Sequence, residues 1–230
     1  MFRLHHHAIS AGSRYVRLLL GEYGLNAELV EERPWTRREE FLAINPAGTL
    51  PVLLDEGEQA VCGGMAIGEF VDETAGAMMR DKRLMPENPY GRAEVRRLIE
   101  WFLIKFDAEV SRYLVGERVY KLHMRGADGG GPPDPNLIRA GRGNLKSHLR
   151  YADWLAGSRD WLAGAKLSQA DLAAAAAFSV ADYLGEVAWE DFAHAREWYQ
   201  RIKSRPAFRP LLADKIAGIA PAPHYANLDF

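Results

Sequence analysis

The chain changes its hydrophobic period once, and that change limits the folds open to it. Over residues 1–80, strand-like and helix-like stretches alternate; from Pro89 onward the pattern is almost wholly helical. Phe2 to Ala8 reads as a short strand. Val16, Leu19, Leu20 and Tyr23 then fall at helical spacing before a stop at Gly24. Ala27 to Val30 reads as a second strand. Thr49 to Leu54 and Gln59 to Cys62 flank the turn Asp55-Glu56-Gly57-Glu58 as a hairpin, and Met65 to Thr74 follows as a helix. An apolar stripe through Val95, Leu98, Ile99, Phe102, Phe106 and Val110 marks a long helix. Gly129-Gly130-Gly131-Pro132-Pro133 breaks the helical pattern, which resumes from Leu137 to about Ala156. Ser168-Gln169-Ala170-Asp171 resembles a capping box and opens a helix to Leu184; Glu190–Ser204 and Pro206–Ala217 complete the set. The spacing predicts an α/β domain over 1–80, a linker over 81–88, an all-α domain over 89–218 and a tail over 219–230. A small sheet needs helices on its faces, and a helical domain packed against it supplies further burial.

Charge and composition exclude several classes of function. Lys and Arg number 29 against 31 Asp and Glu, so the net charge is 29 − 31 = −2. Nucleic-acid binding through bulk positive charge is not expected. The longest nearly apolar run, Leu172 to Ala181, is about half the ~20 residues that a membrane span requires. The start Met1-Phe2-Arg3-Leu4-His5 lacks a signal-peptide pattern. No membrane insertion and a cytoplasmic location are therefore expected. The single cysteine, Cys62, rules out an intramolecular disulfide and a multi-thiolate metal site. It reads as a buried, inert thiol. His5, His6 and His7 alternate faces along a strand, so they cannot converge on one ion without distortion; a partly exposed structural trio is expected, with no metal.

Four segments in order resemble the glutathione S-transferase superfamily. Ser10-Ala11-Gly12-Ser13-Arg14-Tyr15-Val16-Arg17 is similar to its Ser-Pro-x-Ser-x-x-Val-Arg helix opening, and Asn45-Pro46-Ala47-Gly48-Thr49-Leu50-Pro51-Val52-Leu53 to its Asn-Pro-x-Gly-x-Val-Pro-x-Leu segment. Ser168-Gln169-Ala170-Asp171 is similar to its Ser-x-Ala-Asp helix start, and Trp198 with Arg205-Pro206-Ala207-Phe208 to its Trp…Arg-Pro-x-Phe. The resemblance implies a thioredoxin-like N-terminal domain, an all-helical C-terminal domain and a homodimer. For the dimer seam it points to Ala66, Ile67 and Phe70 with Arg92, Val95, Arg96 and Ile99.

The resemblance also implies a site. Ser10 stands where serine-type members hold the hydroxyl that stabilises the glutathione thiolate; equally, Ser10 can simply cap the helix. Pro51 corresponds to the family's cis proline, which turns the backbone of Leu50 toward the ligand. Members usually follow the fourth strand with Glu-Ser-x-Ala-Ile, whose polar pair holds the γ-glutamyl end. Here the segment is Gly63-Gly64-Met65-Ala66-Ile67, without both side chains. Losing hydrogen bonds to a charged group costs about 1.5–3 kcal/mol each, so glutathione should bind weakly. Ser10, Leu50, Pro51, Gly63 and Gly64 therefore read as a vestigial glutathione site, with no cofactor and no catalytic residue.

Two features suggest a surface for a macromolecule. Trp35 sits among Arg33, Arg37 and Arg38, so it reads as an interaction hot spot or as an aromatic folded back onto its own domain. The tail Tyr225, Asn227, Leu228, Asp229 and Phe230 follows an extended Pro221-Ala222-Pro223 and reads either as docked or as a second part of a binding surface. Within the superfamily the chain is most similar to an FtsZ-binding cell-division branch, which implies FtsZ filaments as partner, a filament-organising role and a place at the division site. The alternative is a glutathione-dependent transferase acting on an apolar electrophile, with Ser10 activating the thiol and glutathione as cosubstrate.

Overall fold

The computed structural model describes residues 1–229. Strands β1 (Phe2–His6), β2 (Ala27–Glu31), β3 (Val52–Leu54) and β4 (Ala60–Cys62) form one mixed sheet in the order β2-β1-β3-β4. β1 and β2 pair in parallel, with Leu4 opposite Leu29, across helix α1 (Ala11–Glu22). Parallel neighbours need such a crossover, whereas the antiparallel β3–β4 hairpin closes through the short Asp55–Glu58 turn. Helix α3 (Gly64–Thr74) packs beside α1 on the Leu4 face. On the other face Phe41, from α2 (Glu39–Ile44), lies 5.6 Å from the His5 ring.

The covering of both faces corrects the expectation for the histidines. His5, His6 and His7 are only 5%, 7% and 5% exposed, because each finds a layer above it. His5 Nδ1 meets Glu32 at 3.3 Å, and His7 packs on Trp35 and Tyr120. Burial, followed by the Arg17 charge, lowers the His6 pKa to about 4, so His6 is neutral at pH 7. Cys62 departs from expectation in the opposite sense. It is exposed on the edge strand β4, although partial desolvation still raises its pKa and keeps the thiol protonated.

Helix α4 (Pro89–Glu100) is capped by Asn88, whose side chain accepts from the Gly91 amide. It continues without a break through π-helical turns and the short α5 (Arg112–Val115) and α6 (Lys121–His123). Helix α7 (Pro135–Ser158) runs back along it. Helix α8 (Gln169–Tyr183) is buried along all its residues, and the run Ala173–Ala177 lets α1 approach closely. Both halves of its capping box form: Asp171 Oδ2 accepts from the Ser168 amide at 2.9 Å, and the Ser168 side chain caps in return. Asp171 Oδ1 also accepts from the Leu162 amide (2.8 Å) and Trp198 Nε1 (3.0 Å), which ties in α9 (Ala193–Lys203). Helix α10 (Arg209–Leu212) follows, and Arg205 forms a bidentate pair with Glu22 at 2.6 and 2.7 Å. Gly21 admits this segment: a Cβ there would lie 3.0 Å from that of Ala207.

The segment after α3 is stitched down rather than loose. Arg83 binds Asp72 bidentately at 2.9 and 2.7 Å, and Leu84 accepts from the Gln169 amide. Of the expected dimer seam, Ile67, Val95 and Ile99 lie in the protomer's own core, and Arg92 and Arg96 bind Glu69. Ala66 is exposed, as are Met65 and Ile104 on the same two helical elements. The core thus claims the residues whose helical phase faces inward.

Candidate functional site

The start of α1 gathers the residues read as a vestigial site. Ser10 has extended backbone geometry, and its Oγ accepts from the Ser13 amide at 3.3 Å, so it is the helix cap. That bond uses a lone pair and leaves the hydroxyl proton free to donate. The Leu50–Pro51 bond is cis. A Cβ on Gly12 would lie 3.1 Å from Pro51 Cδ, 3.6 Å from the Leu50 carbonyl oxygen and 4.0 Å from Ser10 Oγ. A Cβ on Gly64 would lie 3.8 Å from the Gly12 Cα. The Gly63 amide donates to the Pro51 carbonyl at 2.9 Å. Ser10, Leu50, Pro51, Gly63 and Gly64 therefore converge on Gly12, a residue that sequence reasoning did not single out. Its only signal was the need for close backbone approach, which spacing does not reveal.

The glycine pair changes what this cleft can hold. Gly63 has φ 91° and ψ 141°, a region that side-chain-bearing residues rarely adopt. A side chain at Gly64 would press on Leu103 Cδ1 at 3.2 Å. No side chain caps α3, so its N-terminus offers only backbone amides to an anion.

Trp35 occupies a short 3₁₀ turn, Pro34–Thr36, which Pro34 starts and left-handed Arg37 (φ 46°) ends. The indole is half-buried. It packs on His7 (5.4 Å) and Tyr120 (5.0 Å) and stacks on His123 (6.3 Å, 12°). Of the two readings of Trp35, these contacts bear out the one in which it folds onto its own chain: it bridges the sheet domain to the long helix and is only partly exposed. Tyr120 and His123 lie about 85 residues away, so no local pattern joins them to it. Of the arginines, Arg38 is engaged by Glu32 (2.6 Å) and Glu40 (3.0 Å). Arg33 and Arg37 are exposed and make no ion pair among the described residues.

The tail divides at Tyr225. Tyr225 takes the docked reading and not the partner-binding one: it has no exposed area, because it is the anchor that seats the tail. Its hydroxyl accepts from Arg14 Nη1 at 2.7 Å and donates to the Leu211 carbonyl at 3.0 Å. The buried Arg14 also donates to Ala8 (2.6 Å) and to Ser179 Oγ (2.9 Å). Beyond the anchor, Asn227, Leu228 and Asp229 are exposed, and Asn227 Oδ1 accepts from the Asp229 amide at 3.0 Å. Phe230 lies outside the described residues. His7 and Ala8 are adjacent, so the Trp35 turn and the tail anchor both rest on the β1–α1 junction.

Among the described residues no group of three or more His, Cys, Asp or Glu is placed to hold a metal ion, and no helix is long and apolar enough to cross a membrane.

Known proteins share this arrangement. The glutathione S-transferase N-terminal domain family matches residues 9–74, and the C-terminal domain family matches residues 139–206. FtsZ-localized protein A of Caulobacter vibrioides is 45% identical over 230 residues, covering 99% of this chain and 97% of that protein. The crystal structure of a glutathione S-transferase from Sinorhizobium meliloti 1021 superposes with a TM-score of 0.98 at 56% identity, covering 100% of both chains. The structure of FzlA from C. crescentus superposes at 0.92 with 44% identity, covering 100% of this chain and 99% of that one. The fold, the cis Leu50–Pro51 bond, the α8 capping box and these full-length likenesses place one conclusion beyond the individual motifs: the chain belongs to the glutathione S-transferase superfamily, together with FtsZ-localized protein A.

Proposed function

We propose that the chain is an FtsZ-binding cell-division protein that organises FtsZ filaments at the constriction site, acts as a cytoplasmic homodimer and has no transferase activity. The observation that carries this reading is the 45% identity to FtsZ-localized protein A along essentially the whole of both chains. The glycine pair at the start of α3 supports the absence of conjugation, since both side chains that would hold the γ-glutamyl group are missing. The partner surface comprises Trp35 with Arg33, Arg37 and Arg38, and the tail residues Asn227, Leu228, Asp229 and Phe230. A dimer presents that surface twice, so repetition along a polymer raises avidity without new contacts. Co-sedimentation with GTP-polymerised FtsZ tests the reading. The parent protein should pellet with polymer; Trp35→Ala and Asp229→Lys should pellet at least tenfold less well while remaining folded. If the parent stays in the supernatant, the reading fails.

The cleft supports a second reading, a glutathione-dependent transferase acting on an apolar electrophile. Ser10 keeps its hydroxyl proton beside the cis Leu50–Pro51 bond, in position to stabilise a thiolate. Calorimetry with glutathione separates the two readings: tight binding favours the enzyme, and weak or absent binding favours the division protein.

A further inference from the structure

The helical domain carries a groove that neither the β1–α1 cleft nor the Trp35 surface uses. It runs between α7 and the 185–194 segment that joins α8 to α9. Two cavities of about 370 and 640 Å³ lie end to end along it, and Phe192 borders both. Leu149, Val187 and Phe192 belong to its apolar floor and wall and are themselves nearly buried. Trp154 lines the larger cavity with 60% of its surface exposed. Its ring is held by stacking on Tyr151 at 6.2 Å and 15°. An indole this open, yet fixed in direction, has the properties of an interface anchor.

The rims carry opposite charge. Lys146 and Arg150, one turn apart on α7, border the groove on one side, and Glu190 and Asp191 border it on the other. All four are exposed, and among the described residues none of their side chains makes a hydrogen bond or ion pair. Arg142 on α7 and Glu186 opposite it form an ion pair that closes one end of the groove, and Asp153 accepts from the Ala195 amide; beyond those contacts the four rim charges stay unpaired. A polyanion would be drawn to Lys146 and Arg150 but repelled by Glu190 and Asp191, which argues against a membrane or nucleic acid. A helix can satisfy both rims at once, with acids and bases on opposite flanks of an apolar stripe. From Lys146 to Ser158 the groove offers roughly 18 Å at ~1.5 Å per residue, or about three helical turns.

We propose that this groove docks an amphipathic helix of a partner protein, its acidic flank on Lys146 and Arg150, its apolar stripe against Trp154 and Phe192, and its basic flank on Glu190 and Asp191. This site is separate from the FtsZ reading and does not depend on it.

The test is a phage library displaying peptides tiled across a bacterial proteome, panned against the full chain. Enriched peptides are then synthesised and titrated by fluorescence anisotropy against the parent, Trp154→Ala, the Lys146→Glu/Arg150→Glu double variant and Trp35→Ala. The expected peptides carry an apolar stripe with an acidic flank. Their Kd should rise tenfold or more in Trp154→Ala and in the charge-reversed variant, and stay unchanged in Trp35→Ala. The charge-reversed variant alters only exposed side chains, so it keeps the test valid if Trp154→Ala unfolds. The proposal is overturned if no peptide enriches, if enriched peptides bind every variant alike, or if anionic phospholipid vesicles displace them. It is equally overturned if Trp154→Ala converts a dimer to monomer by light scattering, because a second copy then covers the groove.

Discussion

Arg14 shows how much a single buried cation can organise. Its guanidinium has no exposed area, yet it reaches Ala8, Ser179 and Tyr225 and lies 3.6 Å from Asp214. Hydrogen bonds to a charged group contribute about 1.5–3 kcal/mol, more than neutral ones. Tyr225→Phe keeps the ring and removes only the oxygen that accepts from Arg14 and donates to Leu211. We expect it to lower stability by about 2 kcal/mol in urea denaturation, with the loss concentrated at the tail in hydrogen exchange. An unchanged midpoint would mean that Arg14 does not need this partner. Gly63 supports a prediction of the opposite kind. At φ 91° a side chain costs of order 1–3 kcal/mol, so Gly63→Glu should destabilise the protein without producing tight glutathione binding by calorimetry. The family resemblance already joined Ser10, Leu50, Pro51, Gly63 and Gly64. It did not reveal Gly12, because what Gly12 contributes is the absence of a side chain.

At the scale of elements, legibility follows the range of the interaction. The α8 capping box was readable because Ser168 and Asp171 are three residues apart and their partners are each other's backbone. The further burden on Asp171 was not readable, since Leu162 and Trp198 belong to other segments. That burden makes Asp171→Ala severe: it would leave several buried donors unpaired, at about 1–3 kcal/mol each. We expect a loss of at least about 3 kcal/mol by chemical denaturation, beyond the ~1 kcal/mol of an ordinary exposed cap. A loss near 1 kcal/mol would show that water or relaxation satisfies the Leu162 and Trp198 donors. The histidine strand was misread for a related reason. Alternation gave the faces of His5, His6 and His7 correctly, but exposure depends on what covers each face, and Phe41, Trp35 and Tyr120 come from distant elements. Cys62 was misread because a strand end does not announce that its strand is the sheet's edge.

At the scale of the whole molecule, the two domains share one interior. α1 packs on α8, Arg205 binds Glu22, Tyr15 donates to Gln169 at 2.7 Å, and Trp35 meets Tyr120. Unfolding either domain would expose the other's core, so a single cooperative transition is expected in urea, with tryptophan fluorescence and circular dichroism coincident. The acid limb of that transition follows from the buried histidines. Burial lowers the pKa of His6, His7 and His148, and for His6 the value is about 4 against 6.5 when unfolded. The unfolded chain therefore takes up protons below pH 6.5 that the folded chain refuses, so stability is full above 6.5 and falls as pH drops toward 4. For His6 alone the loss approaches about 3 kcal/mol at pH 4. His224 works in the other direction. Its bond to Asp182 at 3.0 Å raises its pKa, so its contribution is present below 6.5 and fades as pH rises through the folded value. Its ring is 36% exposed and solvent screens the pair, so the buried group prevails. Urea titrations of the parent and His6→Gln between pH 4 and 8 measure the difference. The variant's curve should be flatter over pH 4–6.5, whatever its stability at pH 8. Parallel curves would show that His6 titrates alike in the folded and unfolded chain, and that the acid sensitivity has another source.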